Sequence, residues 1–400
     1  MPAAIYVFSL CAFAFGLSEF VVAGLLTALA DDLDAPISLV GTAIAAYALG
    51  AAIGAPFLTA LVAHWRDRNI LLLATALLGV GSLMMSASPN LVFLLVVRFV
   101  VGLGHGVFMA VASDAATRLV DPQRSGRALS VVWIGLTLAL AIGVPLGTYL
   151  GSLWSWRVVF LAIGVLSGGG MLGLALSMPR GEVAVDSTGG GAWKGIQAVA
   201  HPQLLVTASI GALVSIATFA FFTFVSPYLQ QVTAVNMQWL SLGMLLFGVC
   251  AIAGNLLGGF LADAMDVDRS IRFALIALAL NLLGLYGFAR MPVPMMILIG
   301  TLGICFFSIV TLLTLRLLRL AQRFIPAYSS VAAGLNIASF NLGTALGGAL
   351  GGLTISFATL ASIPLTGASA AVLALVVLYL QRRWMSEPSE DMPQQAGQGT

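Results

Sequence analysis

The chain has 400 residues, of which 60% are hydrophobic and 8% are charged, and its mean hydropathy is +1.05. Soluble domains carry about 25% charged residues, so this composition excludes a soluble globular protein and predicts one embedded in a lipid bilayer. The net charge of +2 and the scattered positions of the basic residues give no reason to expect a nucleic-acid partner.

The uncharged stretches are long enough to hold pairs of membrane-spanning helices. The segment between Lys194 and Asp263 has 68 uncharged residues, and the segment between Arg323 and Arg382 has 58. Because a helix needs about 20 residues to cross the hydrocarbon, each segment holds two spans and a short turn. A transmembrane β-barrel would instead show alternating segments of about 10 residues. The pattern therefore predicts an all-α membrane protein.

Apolar runs between polar breaks predict twelve transmembrane helices. We expect residues 1–178 to form a first six-helix half, 179–202 a cytoplasmic linker, 203–382 a second half and 383–400 a disordered cytoplasmic tail. The expected spans, in chain order, are Ile5–Leu29, Ser38–Ala63, Ile70–Ser86, Leu91–Val111, Leu129–Leu153, Val158–Met178, Leu204–Tyr228, Leu240–Ala264, Ile271–Ala289, Val293–Leu318, Val331–Phe357 and Ile363–Leu380.

The two halves repeat each other in sequence. The segment Leu146–Gly151 in span five recurs as Leu342–Gly347 in span eleven, and Gly54 in span two matches Gly254 in span eight. Both matches join spans that are six apart. Two parallel halves with pseudo-symmetry are a transporter layout, in which the substrate site lies between the halves near the middle of the membrane.

The basic residues predict the orientation of the chain. If both termini are cytoplasmic, the inner loops and the tail hold fourteen of the 17 Lys and Arg residues. Since Lys and Arg concentrate on the cytoplasmic side, we expect an even number of spans with both termini inside.

One acidic residue lies inside the first apolar stretch. Glu19 is the only Asp, Glu, Lys or Arg between Pro2 and Ala30. A charge at the centre of a membrane helix costs roughly 2.5–3.5 kcal/mol, so such a residue is a functional-site hypothesis. The same stretch has no Lys or Arg before Glu19, which argues against a cleaved signal peptide. The position predicts a proton-binding carboxylate in a transporter.

Span four carries a second group of polar residues. Arg98, Gly102 and His105 are four and seven positions apart, which places them on one helical face. At a rise of about 1.5 Å per residue, Arg98 lies at a depth similar to Glu19, and His105 lies about two turns further in. A carboxylate, a guanidinium and an imidazole that converge on one cavity can exchange a proton without leaving an isolated charge. Each group could also serve packing or neutralisation alone.

Several short sequence motifs are distributed along nearly the whole chain. They are Ser18–Val21 and Gly24–Leu26 in span one, Ala46–Gly50 and Gly54–Pro56 in span two, His105–Gly106 in span four, Gly143–Thr148 in span five, Trp156–Arg157 after it, Ser226–Gln230 and Phe340–Gly343. With these motifs the chain resembles the major facilitator superfamily. Within it, the likeness is to bacterial drug:proton antiporters that include sugar and arabinose efflux proteins and chloramphenicol exporters.

The resemblance implies roles for the polar residues of the first half. In the sugar-efflux relatives, the residues that match Glu19 and His105 are implicated in substrate and proton handling. In the wider antiporter group, the residue that matches Arg98 is implicated in proton coupling. These three residues are therefore our candidates for proton coupling.

Two further segments resemble gating or bending elements of the family. Gly143, Pro145 and Gly147 resemble the span-five antiporter motif, although Val144 interrupts its usual adjacent Gly-Pro pair, so a plain kinked helix is an equal alternative. The loop signature between spans two and three has Ala63 in place of its Asp. The second-half copy keeps Asp263, which is the candidate for locking the cytoplasmic side, with a solvated loop carboxylate as the alternative.

The spans of the second half have no Asp, Glu, Lys or Arg apart from their cytoplasmic ends. We therefore expect the first half to bind and release protons, and the second half to contact the substrate through hydrogen bonds or aromatic rings. The candidates for substrate contact are Phe20, Tyr228, Asn336 and Asn341. Asn341 would serve helix packing equally well.

Taken together, the residues and the resemblance predict a proton-coupled antiporter that exports a small molecule across the bacterial inner membrane. Its partners would be a small-molecule substrate, protons and the lipid bilayer, and it would act as a monomer. We expect no cofactor and no metal. The alternative is a proton-coupled symporter that imports a nutrient. An intramembrane enzyme or a signalling protein is a remote alternative, because His105 has no neighbour at reactive spacing in its helix.

Overall fold

The computed structural model describes residues 1–62, 65–121, 124–178, 200–325 and 329–386. Within these ranges the side chains at positions 60, 125–127, 129, 263, 329–333 and 384–386 lie outside the description. The greater part of the predicted linker (179–199) and the tail from 387 onward also lie outside it, as do Ala63 and His64.

The described residues form twelve long helices, which confirms the expected all-α membrane fold. We number them α1 to α12 in chain order. Their bounds are Ala3–Asp32 (α1), Ile37–Val40 continued by Thr42–Ile53, Gly54–Leu58 and Thr59–Val62 (α2), Asp67–Ser86 (α3), Leu91–Arg118 (α4), Ser125–Leu138 continued by Ala139–Gly143 and Val144–Leu153 (α5), Trp156–Ser177 (α6), Pro202–Phe222 (α7), Met237–Ala264 (α8), Val267–Gly287 (α9), Pro292–Phe324 (α10), Ser329–Phe357 (α11) and Ile363–Ser386 (α12).

Eleven of these helices, as far as the described residues extend, are long and apolar enough to cross a membrane. The remaining helix is α11, which has 29 residues and is rich in glycine. Glycine contributes little hydropathy, but it lets helices approach closely. A Cβ at Gly343 would collide with the Ala212 carbonyl of α7, so α11 lies backbone to backbone against its neighbour. It occupies the place of the predicted eleventh span.

The two halves repeat the same packing between their second and fourth helices. In each half a glycine on one helix faces a backbone carbonyl of the other, and a Cβ at any of these glycines would overlap that carbonyl. The equivalent contacts are Gly54 with Leu103 and Gly102 with Tyr47 in the first half, and Gly254 with Ile304 and Gly303 with Phe247 in the second.

The turn after the first helix of each half also repeats. Asp34 follows α1 with φ of 46°, and Ala234 follows α7 and the short helical segments Val225–Pro227 and Tyr228–Val232 with φ of 60°. Among the described residues these are the non-glycine residues with positive φ. A left-handed conformation is uncommon outside glycine. Its occurrence at equivalent turns indicates that the chain path, and not local preference, imposes it.

Three π-helical turns occur in the described part of the chain, and each adjoins a proline. Gly54–Leu58 contains Pro56, Ala139–Gly143 lies just before Pro145, and Tyr228–Val232 follows Pro227. Proline has no N–H and clashes with the preceding turn, so a helix can widen locally beside it. The helix continues after Gly54–Leu58 and after Ala139–Gly143, whereas it ends after Tyr228–Val232. The apolar pattern predicts straight spans, and the structure departs from them at these turns.

Helix α5 packs against α1 through a row of small residues. A Cβ at Gly143 would lie 3.0 Å from Phe13 Cζ, one at Gly147 would lie 2.7 Å from Val21 Cγ2, and one at Gly151 would approach Leu25. Side chains of α1 thus fill the space that the missing Cβ atoms leave, and this contact fixes the rotation of the helix that carries Glu19.

The halves meet along the bundle, where a Cβ at Gly248 of α8 would overlap the Leu140 carbonyl of α5, and again at one face of it. We call the face where α1 begins and α12 ends the terminal face, and the opposite face the distal face. At the distal face Thr27 Oγ1 lies 3.2 Å from Ser226 Oγ across the two halves. The ring of Phe224 fills the space beside Gly41, where a Cβ would overlap the ring, and the Phe224 side chain is fully buried. The distal ends of the two halves are therefore closed against each other.

Candidate functional site

Glu19 lies midway along α1 and is almost completely buried, with 7% of its surface exposed. The rotation of α1 that places Phe13 and Val21 against α5 turns Glu19 toward α4. A carboxylate at this depth has no bulk water to solvate it, so its partners determine what it can do.

His105 on α4 is the group that faces the Glu19 side chain. Its Nδ1 atom lies 3.5 Å from Oε2 of Glu19, and His105 is 5% exposed. Nδ1 has no hydrogen-bond partner among the described residues. The imidazole is held instead by rings, since it stacks on Phe15 with centroids 5.1 Å apart and planes 12° apart. The pair is thus close enough for a small shift to complete a hydrogen bond.

Arg98 binds the backbone of Glu19 and not its carboxylate. Its Nε donates to the Ala43 carbonyl at 2.6 Å, and Nη1 donates to the Ser18 carbonyl at 2.8 Å. Nη2 donates to the Glu19 carbonyl at 3.3 Å, and the whole side chain is buried. The guanidinium therefore joins α1, α2 and α4 while its charge remains near the carboxylate.

Arg98 and His105 lie two turns apart along α4, and yet both contact Glu19, because they contact different parts of it. In a helix, side chains tilt toward the N-terminus while carbonyls point toward the C-terminus. The Glu19 side chain extends along α1 toward the terminal face and meets His105, whereas its carbonyl points toward the distal face and meets Arg98. Two residues of α4 that are two turns apart thus reach the same residue of α1.

Tyr47 on α2 is a member of the site that the sequence analysis assigned no role. It is fully buried, its ring centroid lies 5.6 Å from that of His105, and Arg98 Cζ lies 4.6 Å from its centroid. Its hydroxyl donates to the Phe15 carbonyl at 3.2 Å. A sequence signal was present, because Tyr47 belongs to the Ala46–Gly50 motif and is the only polar side chain in it.

Opposite this polar group, the second half presents a cluster of aromatic rings. Phe20, next to Glu19 in the chain, stacks on Phe219 of α7 with centroids 6.2 Å apart. From Phe219 the contacts continue through rings whose centroids are 4.1–6.2 Å apart. The members of this aromatic cluster are Phe219, Phe222, Phe247, Phe306, Phe307 and Phe340.

The structure separates the four candidates for substrate contact. Phe20 lies at the junction of the halves, as described. Tyr228 is fully buried near the distal face, where its hydroxyl donates to the Leu285 carbonyl at 3.2 Å, so it packs within the second half and away from Glu19. Asn336 donates to Thr314 Oγ1 at 2.8 Å. Asn341 donates to the Ile337 carbonyl of its own helix at 2.9 Å.

The bending and gating candidates lie in two places. Gly143, Pro145 and Gly147 form the widened, tightly packed part of α5 described above. Asp263 belongs to α8, but its side chain lies outside the described residues, as does Ala63.

The terminal face carries an Asp–Arg ion pair of the same kind in each half. Asp67 pairs with Arg118 in the first half, and Asp268 pairs with Arg316 in the second at 2.6 Å. Each acidic residue lies at the start of the third helix of its half, and each arginine lies in the last turns of the fourth. These pairs hold neighbouring helices within a half together.

Residues 8–329 match the sequence pattern of the Major Facilitator Superfamily. The chain is 33% identical over 380 residues to the inner membrane transport protein YdhP of Escherichia coli (strain K12), a match that covers 94% of this chain and 95% of YdhP. It is 31% identical over 363 residues to a chloramphenicol resistance protein of Streptomyces lividans, with 90% and 91% of the two chains covered.

The fold also resembles that of a solved transporter. The crystal structure of a mutant of the nucleoside transporter NupG superposes with a TM-score of 0.77 over 94% of this chain and 98% of NupG, at 14% sequence identity. Twelve long helices, a repeated helix packing in the two halves and sequence matches across most of the chain agree with one another. The chain is a multi-pass membrane protein that belongs to the major facilitator superfamily.

Proposed function

We propose that the protein is a proton-coupled antiporter that exports a small molecule from the cytoplasm by alternating access of its two halves. The observation that carries this proposal is the buried pair of Glu19 and His105, whose side-chain atoms lie 3.5 Å apart midway along α1 and α4. A packing role alone would not require two titratable groups at this depth, where an uncompensated charge is costly.

The contacts around the pair support proton exchange. Arg98 supplies a fixed positive charge, and its three hydrogen bonds go to backbone carbonyls and not to the Glu19 carboxylate. The Glu19 carboxylate is therefore left to gain or lose a proton with His105 as its neighbour. Each proton that binds or leaves changes the charge of the site. The site therefore responds to the membrane potential, and its charge affects how the substrate binds.

Export is the direction that the comparisons favour. A relative that covers most of the chain is named for chloramphenicol resistance, and a membrane transporter confers resistance by removing a drug from the cell. One charge crossing 100 mV gains about 2.3 kcal/mol, which sustains a gradient of roughly fifty-fold. One proton per cycle is thus sufficient for useful export.

The aromatic cluster and Phe20 are the proposed apolar wall of the substrate site. Phe20 and Phe219 belong to different halves and stack on each other, so a substrate that enters between them would contact both. We place both termini in the cytoplasm of a bacterial cell, and the protein in the inner membrane as a monomer. The distal face is then periplasmic, so the closed ends of the two halves lie on the periplasmic side.

The test uses inverted membrane vesicles from overexpressing cells, in which export appears as uptake. Chloramphenicol is the first compound, followed by a panel of sugars, nucleosides and drugs chosen from a tolerance screen. We expect uptake against a gradient when a proton gradient is imposed, and loss of that uptake in Glu19→Gln with counterflow exchange retained. Asp31→Asn, at an exposed position on the same helix, is the matched control and should transport normally.

Two results would reject the proposal. Uphill uptake in Glu19→Gln would remove the carboxylate from the coupling mechanism. Accumulation in intact cells that falls when the proton gradient is collapsed would indicate the importing symporter, because the substrate of an exporter accumulates more under that condition.

A further inference from the structure

Tyr47 lies against two polar members of the first-half site, His105 and Arg98. Its ring lies 5.6 Å from the His105 ring and 4.6 Å from Arg98 Cζ, and its hydroxyl donates to the Phe15 carbonyl at 3.2 Å. Nothing in the exchange of a proton between Glu19 and His105 uses this side chain directly. Its contacts nevertheless determine where both groups lie.

The hydrogen bond from the Tyr47 hydroxyl to the Phe15 carbonyl links Tyr47 to both titratable residues. Phe15 lies one helical turn before Glu19, so its carbonyl belongs to the turn from which the Glu19 side chain projects. The ring of Phe15 also stacks flat on His105. One hydrogen bond therefore fixes the turn that carries the carboxylate and, through the stacked ring, the imidazole opposite it.

Tyr47 is itself held in place by the close approach of α2 and α4. A Cβ at Gly102 would overlap the Tyr47 carbonyl, and one at Gly50 would overlap the Phe99 carbonyl. The absence of side chains at both glycines brings the two backbones together on either side of the Tyr47 ring. The hydroxyl thus projects from a rigid position and not from a flexible one.

The second half shows that the hydroxyl is not needed for this helix packing. Phe247 occupies the equivalent place, with its carbonyl against Gly303 as that of Tyr47 is against Gly102. Phe247 packs against Phe222 and Phe307 and has no titratable neighbour in these contacts. An aromatic ring is common to both halves, whereas the hydroxyl occurs only beside the titratable pair.

We propose that Tyr47 is the positioning residue that holds Glu19 and His105 at the separation over which a proton passes between them. This inference rests on the proposed proton coupling. Its consequence is that removing one oxygen atom from α2 weakens the coupling of transport to the proton gradient, although both titratable residues remain.

The first test measures the Glu19–His105 separation directly and needs no substrate. Protein with ¹³C-labelled glutamate and ¹⁵N-labelled histidine is reconstituted in lipid vesicles, and the carbon–nitrogen dipolar coupling is recorded by solid-state NMR. Glu19→Gln identifies the signal of the pair by its loss. We expect the signal in the wild type and its loss in Tyr47→Phe. A signal of unchanged strength in Tyr47→Phe overturns the inference.

Tyr286→Phe is the matched control, since Tyr286 is 46% exposed on α9, and it should keep the signal. Thermal unfolding of both variants checks folding. A Tyr47→Phe variant that unfolds at the wild-type temperature and loses the signal supports positioning, whereas equal loss of fold and signal attributes the effect to stability and rejects the inference.

The second test compares proton-driven uptake of chloramphenicol with its counterflow exchange. The measured quantity is the rate of proton-driven uptake divided by the rate of counterflow exchange. Loss of a hydrogen bond of about 1 kcal/mol corresponds to a fall of about fivefold in this ratio for Tyr47→Phe. In the Glu19→Gln background the same substitution should have no additional effect, because Tyr47 acts through Glu19. If Glu19→Gln retains coupling, the proposed function fails; if only Tyr47→Phe retains it, the positioning role alone fails.

Discussion

The two halves share a helix packing but differ in the chemistry that it surrounds. Counting from the equivalent glycines Gly102 and Gly303, His105 corresponds to Phe306 and Arg98 corresponds to Ile299. In the same way Tyr47 corresponds to Phe247. One half thus has a titratable group, a cation and a hydroxyl where the other has apolar side chains of similar size.

This difference separates what the fold requires from what the function requires. The glycine contacts and the positive-φ turns occur in both halves, so they belong to the architecture. The polar side chains occur in one half and lie opposite the aromatic cluster of the other. Substitutions that give a first-half position its second-half residue therefore remove one polar group at a time and keep an apolar side chain of similar size.

The largest effect is expected from Arg98→Ile, which installs the residue of the second half. It removes three hydrogen bonds from a fully buried cation to carbonyls of α1 and α2. Hydrogen bonds to charged groups contribute about 1.5–3 kcal/mol each, or about 4.5–9 kcal/mol for three. Because removing the buried cation also removes its desolvation cost, we expect the variant to lose transport and about 3–5 kcal/mol of stability. Thermal unfolding in detergent measures the second effect. Wild-type stability would show that the cation does not join these helices.

His105→Phe should abolish coupling while preserving the fold. The ring can keep its stack on Phe15, and the second half already has a phenylalanine at this place. We expect a stability change below about 1 kcal/mol and loss of proton-driven uptake, with counterflow retained. Uphill uptake at the wild-type rate would exclude His105 from coupling.

Gly102→Ala and Gly303→Ala should destabilise the protein to a similar extent. In each case a new Cβ would overlap a backbone carbonyl, that of Tyr47 or that of Phe247. Overpacking of this kind costs about 1–3 kcal/mol. Gly259→Ala, at a position where a Cβ would contact nothing within 4 Å, is the control. A large effect in one half only would contradict the shared architecture.

The smallest effect is expected at the positive-φ turns. Ala234→Gly should stabilise the protein by about 0.5–1 kcal/mol, because glycine adopts this conformation without strain. Asp34→Gly should change stability less, since Asp tolerates the left-handed region better than Ala does. Chemical unfolding of the two variants provides the comparison, and a larger gain at Asp34 would disagree with it.

The sequence predicted the fold and the main pair of the site for a clear physical reason. Apolar length and isolated charges are strong signals in a membrane chain, so the twelve spans could be inferred from composition, and Glu19 and His105 could be selected as candidates that share one cavity. The structure places their side chains 3.5 Å apart, and their role in coupling stays a prediction. The repeat in sequence also indicated the two halves.

Contacts that depend on helix rotation and tilt could not be predicted in the same way. Spacing placed Arg98 near Glu19 but could not show that it binds carbonyls. It likewise could not show that Tyr228 is directed toward α9, or that Tyr47 lies between Arg98 and His105. These directions follow from the close glycine contacts and from the π-helical turns beside prolines, which apolar periodicity does not record.

The ring of Phe224, seated against Gly41 at the distal face, has a consequence for the resting state of the transporter. Opening that face exposes the ring to water, and burial of a phenylalanine side chain contributes about 1.5–3 kcal/mol. This energy corresponds to a preference of roughly ten- to hundredfold for the closed arrangement. An empty transporter would then rarely open at the distal face, and under the proposed proton coupling this preference would limit leakage of protons when no cargo is bound.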